Sequence, residues 1–152
     1  MLELFFFILG FVNNLFLITI FLIRKNRLTI LKRIGWVYFL LAIPAAYGIF
    51  YCLEEQASIQ YVTFLAIFIA FLAIEWLLDF ALKINFREHW KRNWKITTPY
   101  LCLYYAMNYG FVVMPWKTSL AWGIIMLLLA IMQIITNIRS HSGTAATKNV
   151  AL

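Results

Sequence analysis

The sequence predicts an all-α integral membrane bundle of five transmembrane helices, with the N-terminus outside and the C-terminus cytoplasmic. Composition is the first ground. Of 152 residues, 64% are hydrophobic and 12% charged, more apolar surface than a soluble domain of this size can hide. The second is spacing. Apolar stretches recur at the length of about 20 residues that a helix needs to cross a hydrocarbon core about 30 Å thick. Short alternating segments of the barrel type are absent, which leaves helices as the way to satisfy backbone groups in lipid. The third is charge: the formal charge is +7, and the cations gather in alternate connections.

The first predicted span, 2–23, opens with Glu3 and lacks a basic leader or a small-residue cleavage site, so it reads as a permanent span rather than a signal peptide. Asn13 and Asn14 interrupt it halfway. The connection RKNRLTILKR carries five cations and no acid. Span two, 34–53, holds Pro44 followed by Ala45, Ala46, Tyr47 and Gly48. A mid-span proline predicts a kink, and small residues admit a close neighbour. After the acidic turn at Glu54 and Glu55 comes span three, 59–82, with Glu75 and Asp79 in its inner half. The next connection, NFREHWKRNWK, sets Trp90 and Trp94 among cations, which suits the headgroup level. Span four, 97–114, begins at Thr97, Thr98 and Pro99, where proline is tolerated. It also carries Asn108, Tyr100, Tyr104, Tyr105 and Tyr109. Span five, 118–138, is capped by Thr118. Residues 139–152, polar and rich in small side chains, are expected to form a disordered cytoplasmic tail.

With five crossings, twelve of the thirteen basic residues fall on one side and only Lys117 on the other, together with Glu3, Glu54 and Glu55. The positive-inside rule then sets the orientation and points to the cell (cytoplasmic) membrane, although the same reasoning fits the endoplasmic reticulum. Cys52 and Cys102 fall near opposite faces, too far apart for a disulfide.

Counting along the helices sets Asn13, Pro44, Glu75 and Asn108 at one depth, with Asp79 and Gln133 lower. Glu75 and Asp79, four residues apart, share a face. Two ionised carboxylates there would repel, so a proton is expected on the deeper Glu75, with Asp79 paired to Lys83. Ala66, Ala70 and Ala73 predict the tightly packed face of this span, leaving the acid, among Phe68, Phe71 and Leu72, toward an aromatic pocket or a partner subunit. Glu75, Asp79, Asn13, Asn14, Asn108 and Tyr104 are therefore the candidates for proton or ligand coupling. The plain alternative is that they hold the bundle together by interhelical hydrogen bonds. Arg87, His89, Lys91, Arg92 and Lys95 are candidates for binding anionic lipid headgroups, against a purely topological role. His89 lacks a neighbouring nucleophile.

No nucleotide loop, metal-ligand spacing or serine–histidine arrangement is present, so neither a metal nor a cofactor is expected. The favoured function is an accessory subunit or transporter-like protomer working as a homo-oligomer or beside a partner membrane subunit, without nucleic acid. Two alternatives stand: an enzyme acting on a lipid or isoprenoid at the cytoplasmic face, and a binder of lipid or another hydrophobic ligand without turnover. Five spans rich in tryptophan resemble the TspO/translocator family in topology alone. That family's Trp-x-Pro-Pro signature has no counterpart here, and no residue is carried over.

Overall fold

Hydrophobic spacing in the first helix shows how the bundle is assembled. Phe6, Leu9, Gly10, Asn13, Asn14, Leu17, Ile18 and Phe21 are all buried, a run of three- and four-residue steps that places every one of them on a single helical face. The computed structural model of the chain describes residues 1–26, 35–78 and 93–142, and every regular element among them is helical. These elements are α1 (Leu2–Asn26), α2 (Ala42–Glu54), α3 (Ile59–Trp76), α4 (Trp94–Thr118) and α5 (Leu120–Ser142). Four stretches, Leu2–Ile23, Gly35–Glu54, Ile59–Trp76 and Leu120–Ser140, are long and apolar enough to cross a membrane.

The helices pack in the order α2–α3–α4–α5–α1, and α1 also lies against α4 but touches α2 only lightly. α4 is thus the central helix. It buries Tyr100, Tyr104, Met107, Asn108, Phe111 and Met114 against its neighbours, whereas α5 keeps Ile124, Leu128, Ile131 and Ile135 exposed. α4 is 25 residues long, like α1, or about 37 Å. It misses the hydropathy of a span because Lys95, Asn108, Lys117, two prolines and four tyrosines lower its mean.

Ring contacts set the register. Phe6 meets Tyr61 of α3 and Phe111 of α4 at centroid distances of 5.5 and 5.4 Å, and Phe7 stacks on Trp122 of α5 at 4.9 Å. The start of α1, the α2–α3 turn and the α4–α5 turn therefore share one end of the bundle. Lys117 donates to Gln60 there, tying α4 to α3. At the α2–α3 turn the Ala57 N–H reaches back to the Cys52 carbonyl, and Gln56 takes a φ of 49°, the left-handed turn that closes a helix end.

Pro44 breaks the second segment as expected, although the break falls just before it. Residues 35–39 are helical, 40–41 form a turn, and α2 begins at Ala42. Pro44 has no N–H for the Leu40 carbonyl. The Ile43 N–H takes that carbonyl instead at 3.1 Å, and Leu40 and Leu41 bond three residues back as well, which tightens the chain into the turn.

One packing expectation is overturned. Ala66 and Ala73 are exposed and Ala70 is half-buried, while Leu65, Phe68, Phe71, Leu72 and Glu75 form the buried face of α3. The acid face is the packed face because large side chains bury more apolar area than a small-residue stripe. The neighbouring helices supply the small residues. A Cβ on Gly48 would sit 2.7 Å from Phe5 and 3.1 Å from Leu65, and one on Gly10 would sit 2.6 Å from Phe111 and 2.7 Å from Met126.

The helix limits also differ from the sequence reading. α4 begins at Trp94, so Thr97 is inside it and donates to the Asn93 carbonyl rather than capping, and Pro99 is interior. Ser119, extended between α4 and α5, accepts the Gly123 N–H and takes the capping place expected of Thr118. α5 continues through Ser142, so 139–142 extend the last helix and 143–152 lie outside the described residues.

Candidate functional site

The buried polar side chains occupy two tiers rather than one depth. In the upper tier are Asn13, Asn14 and Asn108, between α1 and α4. Asn13 is completely buried. Its amide donates weakly to the Met107 sulfur at 3.9 Å, and its carbonyl accepts the Tyr38 hydroxyl at 2.8 Å. Asn14 donates to the Gly10 carbonyl and Asn108 to the Tyr104 carbonyl, each at 2.9 Å and each on its own helix.

The lower tier centres on Glu75, whose side chain is 5% exposed. The Tyr100 hydroxyl donates to its Oε1 at 3.0 Å. Phe71, one turn before Glu75, lies 5.6 Å from the Tyr100 ring and 5.9 Å from Tyr104. Two residues four apart on α3 thus face two residues four apart on α4. Tyr100 and Asn108 are eight residues apart, about 12 Å along α4, which separates the tiers. Tyr38 bridges them: bonded to Asn13, it also lies within electrostatic reach of Glu75, Tyr100 and Tyr104. Tyr104 faces Gln133 and Asn137 of α5. No well-aligned hydrogen bond closes there, and the Tyr104 hydroxyl, both amide atoms of Gln133 and the Oδ1 atoms of Asn14 and Asn108 have no partner among the described residues.

The sequence candidates therefore fall into three groups. Glu75, Asn13, Asn14, Asn108 and Tyr104 all point into the bundle. Glu75 is bonded by Tyr100, not by Asn13, Asn14, Asn108 or Tyr104. Lys95 is exposed near the start of α4. Asp79, Arg87, His89, Lys91 and Arg92 lie outside the described residues. The sequence reading missed Tyr38 and the role of Tyr100. A usable signal was the matched spacing of Phe71/Glu75 and Tyr100/Tyr104, which lets one aromatic–polar ladder pair with another across two antiparallel helices.

Chemically, a carboxyl group can gain or lose a proton, and a phenol can donate to it or accept from it. No group of three or more His, Cys, Asp or Glu side chains converges among the described residues, so no ligand set for a metal is named. An apolar cleft of about 160 Å³ opens between α1 and α2, lined by Leu2, Phe5, Tyr47, Gly48 and Tyr51. It falls short of the roughly 300 Å³ at which pockets hold small molecules.

Comparison with protein-family models, with curated proteins and with solved structures finds no match for this chain.

Proposed function

We infer that the protein is a multi-pass membrane protein of five crossings, an accessory subunit or transporter-like protomer, in which Glu75 is the proton- or ligand-responsive group. α4 is the fifth crossing: it has the length, and Thr97, Tyr100, Tyr104 and Asn108 turn toward the bundle. The end bearing Glu3, Glu54, Glu55 and Lys117 faces outside, and the opposite end, with twelve of the thirteen cations, faces the cytoplasm of a cell membrane. At that face the exposed Lys95, with Arg87, His89, Lys91 and Arg92, meets anionic headgroups.

The observation that carries this reading is the Tyr100 hydroxyl bonded to a Glu75 carboxyl buried in an apolar bundle. A carboxyl among hydrocarbon side chains is costly, and such residues mark proton or ligand pathways more often than bulk packing. Glu75→Gln keeps the size and the acceptor but removes the titration. Infrared difference spectra of the protein in vesicles, taken across a pH series, should show a carboxyl band in the wild type that Glu75→Gln abolishes. An unchanged band in the variant refutes the assignment. A reporter fused after Leu152 tests the orientation, and a signal from outside overturns it.

A further inference from the structure

The seam between α4 and α5 holds polar side chains that the Glu75–Tyr100 pair leaves unused. Met126, Ala130, Gln133 and Asn137 follow one another on α5 in steps of four, three and four residues, so they share one helical face. Met126 reaches the place where Gly10 of α1 meets Phe111 of α4, which turns this face into the bundle. Gln133 and Tyr104 each stand seven residues from that contact, Gln133 beyond Met126 and Tyr104 before Phe111, about 10 Å along antiparallel helices. The two are therefore level, and Gln133 and Asn137 both lie within reach of the Tyr104 hydroxyl.

The polar atoms of this seam do not satisfy one another. Gln133 is 0% exposed and Tyr104 1%. Yet the Gln133 Oε1 and Nε2 atoms and the Tyr104 hydroxyl have no hydrogen-bond partner among the described residues. Other polar side chains close on their own backbone, as Asn108 does on the Tyr104 carbonyl and Thr136 on the Met132 carbonyl, each at 2.9 Å. Gln133 makes no such bond among the described residues. A buried amide without partners is costly. Ala130, three residues before Gln133 and also buried, takes up little of the space beside that amide.

We propose that Tyr104, Gln133 and Asn137 form a binding site for internal water between α4 and α5. The seam presents an amide N–H that donates, an amide oxygen that accepts and a hydroxyl that does both, and water matches all three. A buried water makes about three such bonds, the number of unmatched groups here. A metal cation would suit the oxygens but be opposed by the Nε2 hydrogens. The nearest described carboxylate, Glu75, is held by Tyr100 rather than turned into the seam. Asn137 and Ser140 carry the polar face on toward the end that bears Lys95 and Arg139; both are only half-buried, and Ser140 donates to the Asn137 carbonyl at 2.7 Å. They give water a polar route to the site. The proposal goes beyond the Glu75 reading and does not depend on it.

The test uses the full chain in lipid vesicles, suspended in water labelled with a heavy oxygen isotope. A brief X-ray pulse makes hydroxyl radicals from water in place, these add to adjoining aromatic rings, and mass spectrometry reads the oxygen gained. Phe68, 0% exposed and packed on Phe111 at 5.1 Å, is the comparison ring. Tyr104 should gain the heavy oxygen and Phe68 should not. Gln133→Leu keeps the approximate size but removes both amide atoms, and should lose the Tyr104 label. An unlabelled Tyr104, equal labelling of the two rings, or a label undiminished in Gln133→Leu overturns the proposal. The comparison of rings within the wild type decides even where the variant fails to fold. The second measurement is the melting temperature in sodium chloride and in choline chloride at equal ionic strength. The two should agree; a rise with sodium that Gln133→Leu abolishes gives the seam to a cation and overturns the proposal. Glu75→Gln should leave the Tyr104 label in place, so this proposal and the one for the buried acid fail separately.

Discussion

The two polar tiers sit in the same bundle, yet their hydrogen bonds run differently. In the upper tier Asn14 and Asn108 donate to carbonyls one turn back on their own helices, bonds that would survive if the helices separated. In the lower tier the bond runs between helices, from Tyr100 of α4 to Glu75 of α3. Asn13, bonded by Tyr38 from the short helical piece before α2, lies between the two patterns. An amide that closes on its own backbone hides polarity. A hydroxyl that crosses to another helix couples the position of one to the chemistry of the other. On the proposed function the asparagines would serve structural upkeep and the acid would serve response, and the contrast can be measured as coupling energy.

The largest effect is expected at the lower tier. In a double-mutant cycle of Glu75→Leu and Tyr100→Phe, read from unfolding in mild detergent, the coupling should be about 1–1.7 kcal/mol, the upper end for hydrogen bonds between membrane helices. A cycle that closes to zero would mean that the two residues are neighbours without interaction, and the distinction between tiers would lose its main support.

Much of this was readable in the chain, and the part that was not has a definite cause. The steps from Phe6 through Asn13 and Asn14 to Phe21 foretell which face of α1 turns inward, since a helix has one period and lipid admits one polarity. The aim of Glu75 was not, because the alanine stripe stood as the packed face and left the acid toward a pocket or a partner subunit, whereas it lies on the buried face of α3. Nor was its partner. Tyr100, rather than Tyr104 or Asn108, meets Glu75 because of the register between α3 and α4. That register depends on a connection through 79–92 and on the fit of Phe64 over Gly110, neither of which leaves a trace in hydropathy. The reversal at Ala66, Ala70 and Ala73 is similar in kind. A small stripe permits close packing but does not compel it, and here Gly10 and Gly48 on the other helices grant the approach. The limits of α4 were obscured because its two ends, Trp94–Ile96 and Pro115–Thr118, carry lysines and a proline that hydropathy reads as connections.

An intermediate effect is expected where the tiers join. Tyr38→Phe removes the hydroxyl bonded to Asn13 and leaves the ring beside Phe16 and Phe39, at 6.1 and 5.8 Å. The coupling in a cycle with Asn13→Leu should be about 0.6 kcal/mol, the average for such bonds in membranes. The infrared carboxyl band should persist in Tyr38→Phe. Loss of that band would make Tyr38 part of the responsive centre and move the boundary between the tiers up by one residue.

The smallest effect should come from Asn14→Leu, although that residue is fully buried. Its Nδ2 is bonded within α1, and its Oδ1 has no partner among the described residues. Leucine has nearly the same shape and removes both the donor and the unmet acceptor. Replacing an imperfectly satisfied polar group with an apolar one of similar volume is nearly neutral or stabilising, so stability should change by no more than about 1 kcal/mol, with a gain the favoured sign. The same substitution at Asn13 should be destabilising, because the Tyr38 hydroxyl would be left buried without its acceptor. The adjacent asparagines share burial, depth and helix and differ only in where their hydrogen bonds lead. If Asn14→Leu proves as damaging as Asn13→Leu, burial rather than connectivity governs the upper tier, and the asparagines belong with Glu75 in one polar core.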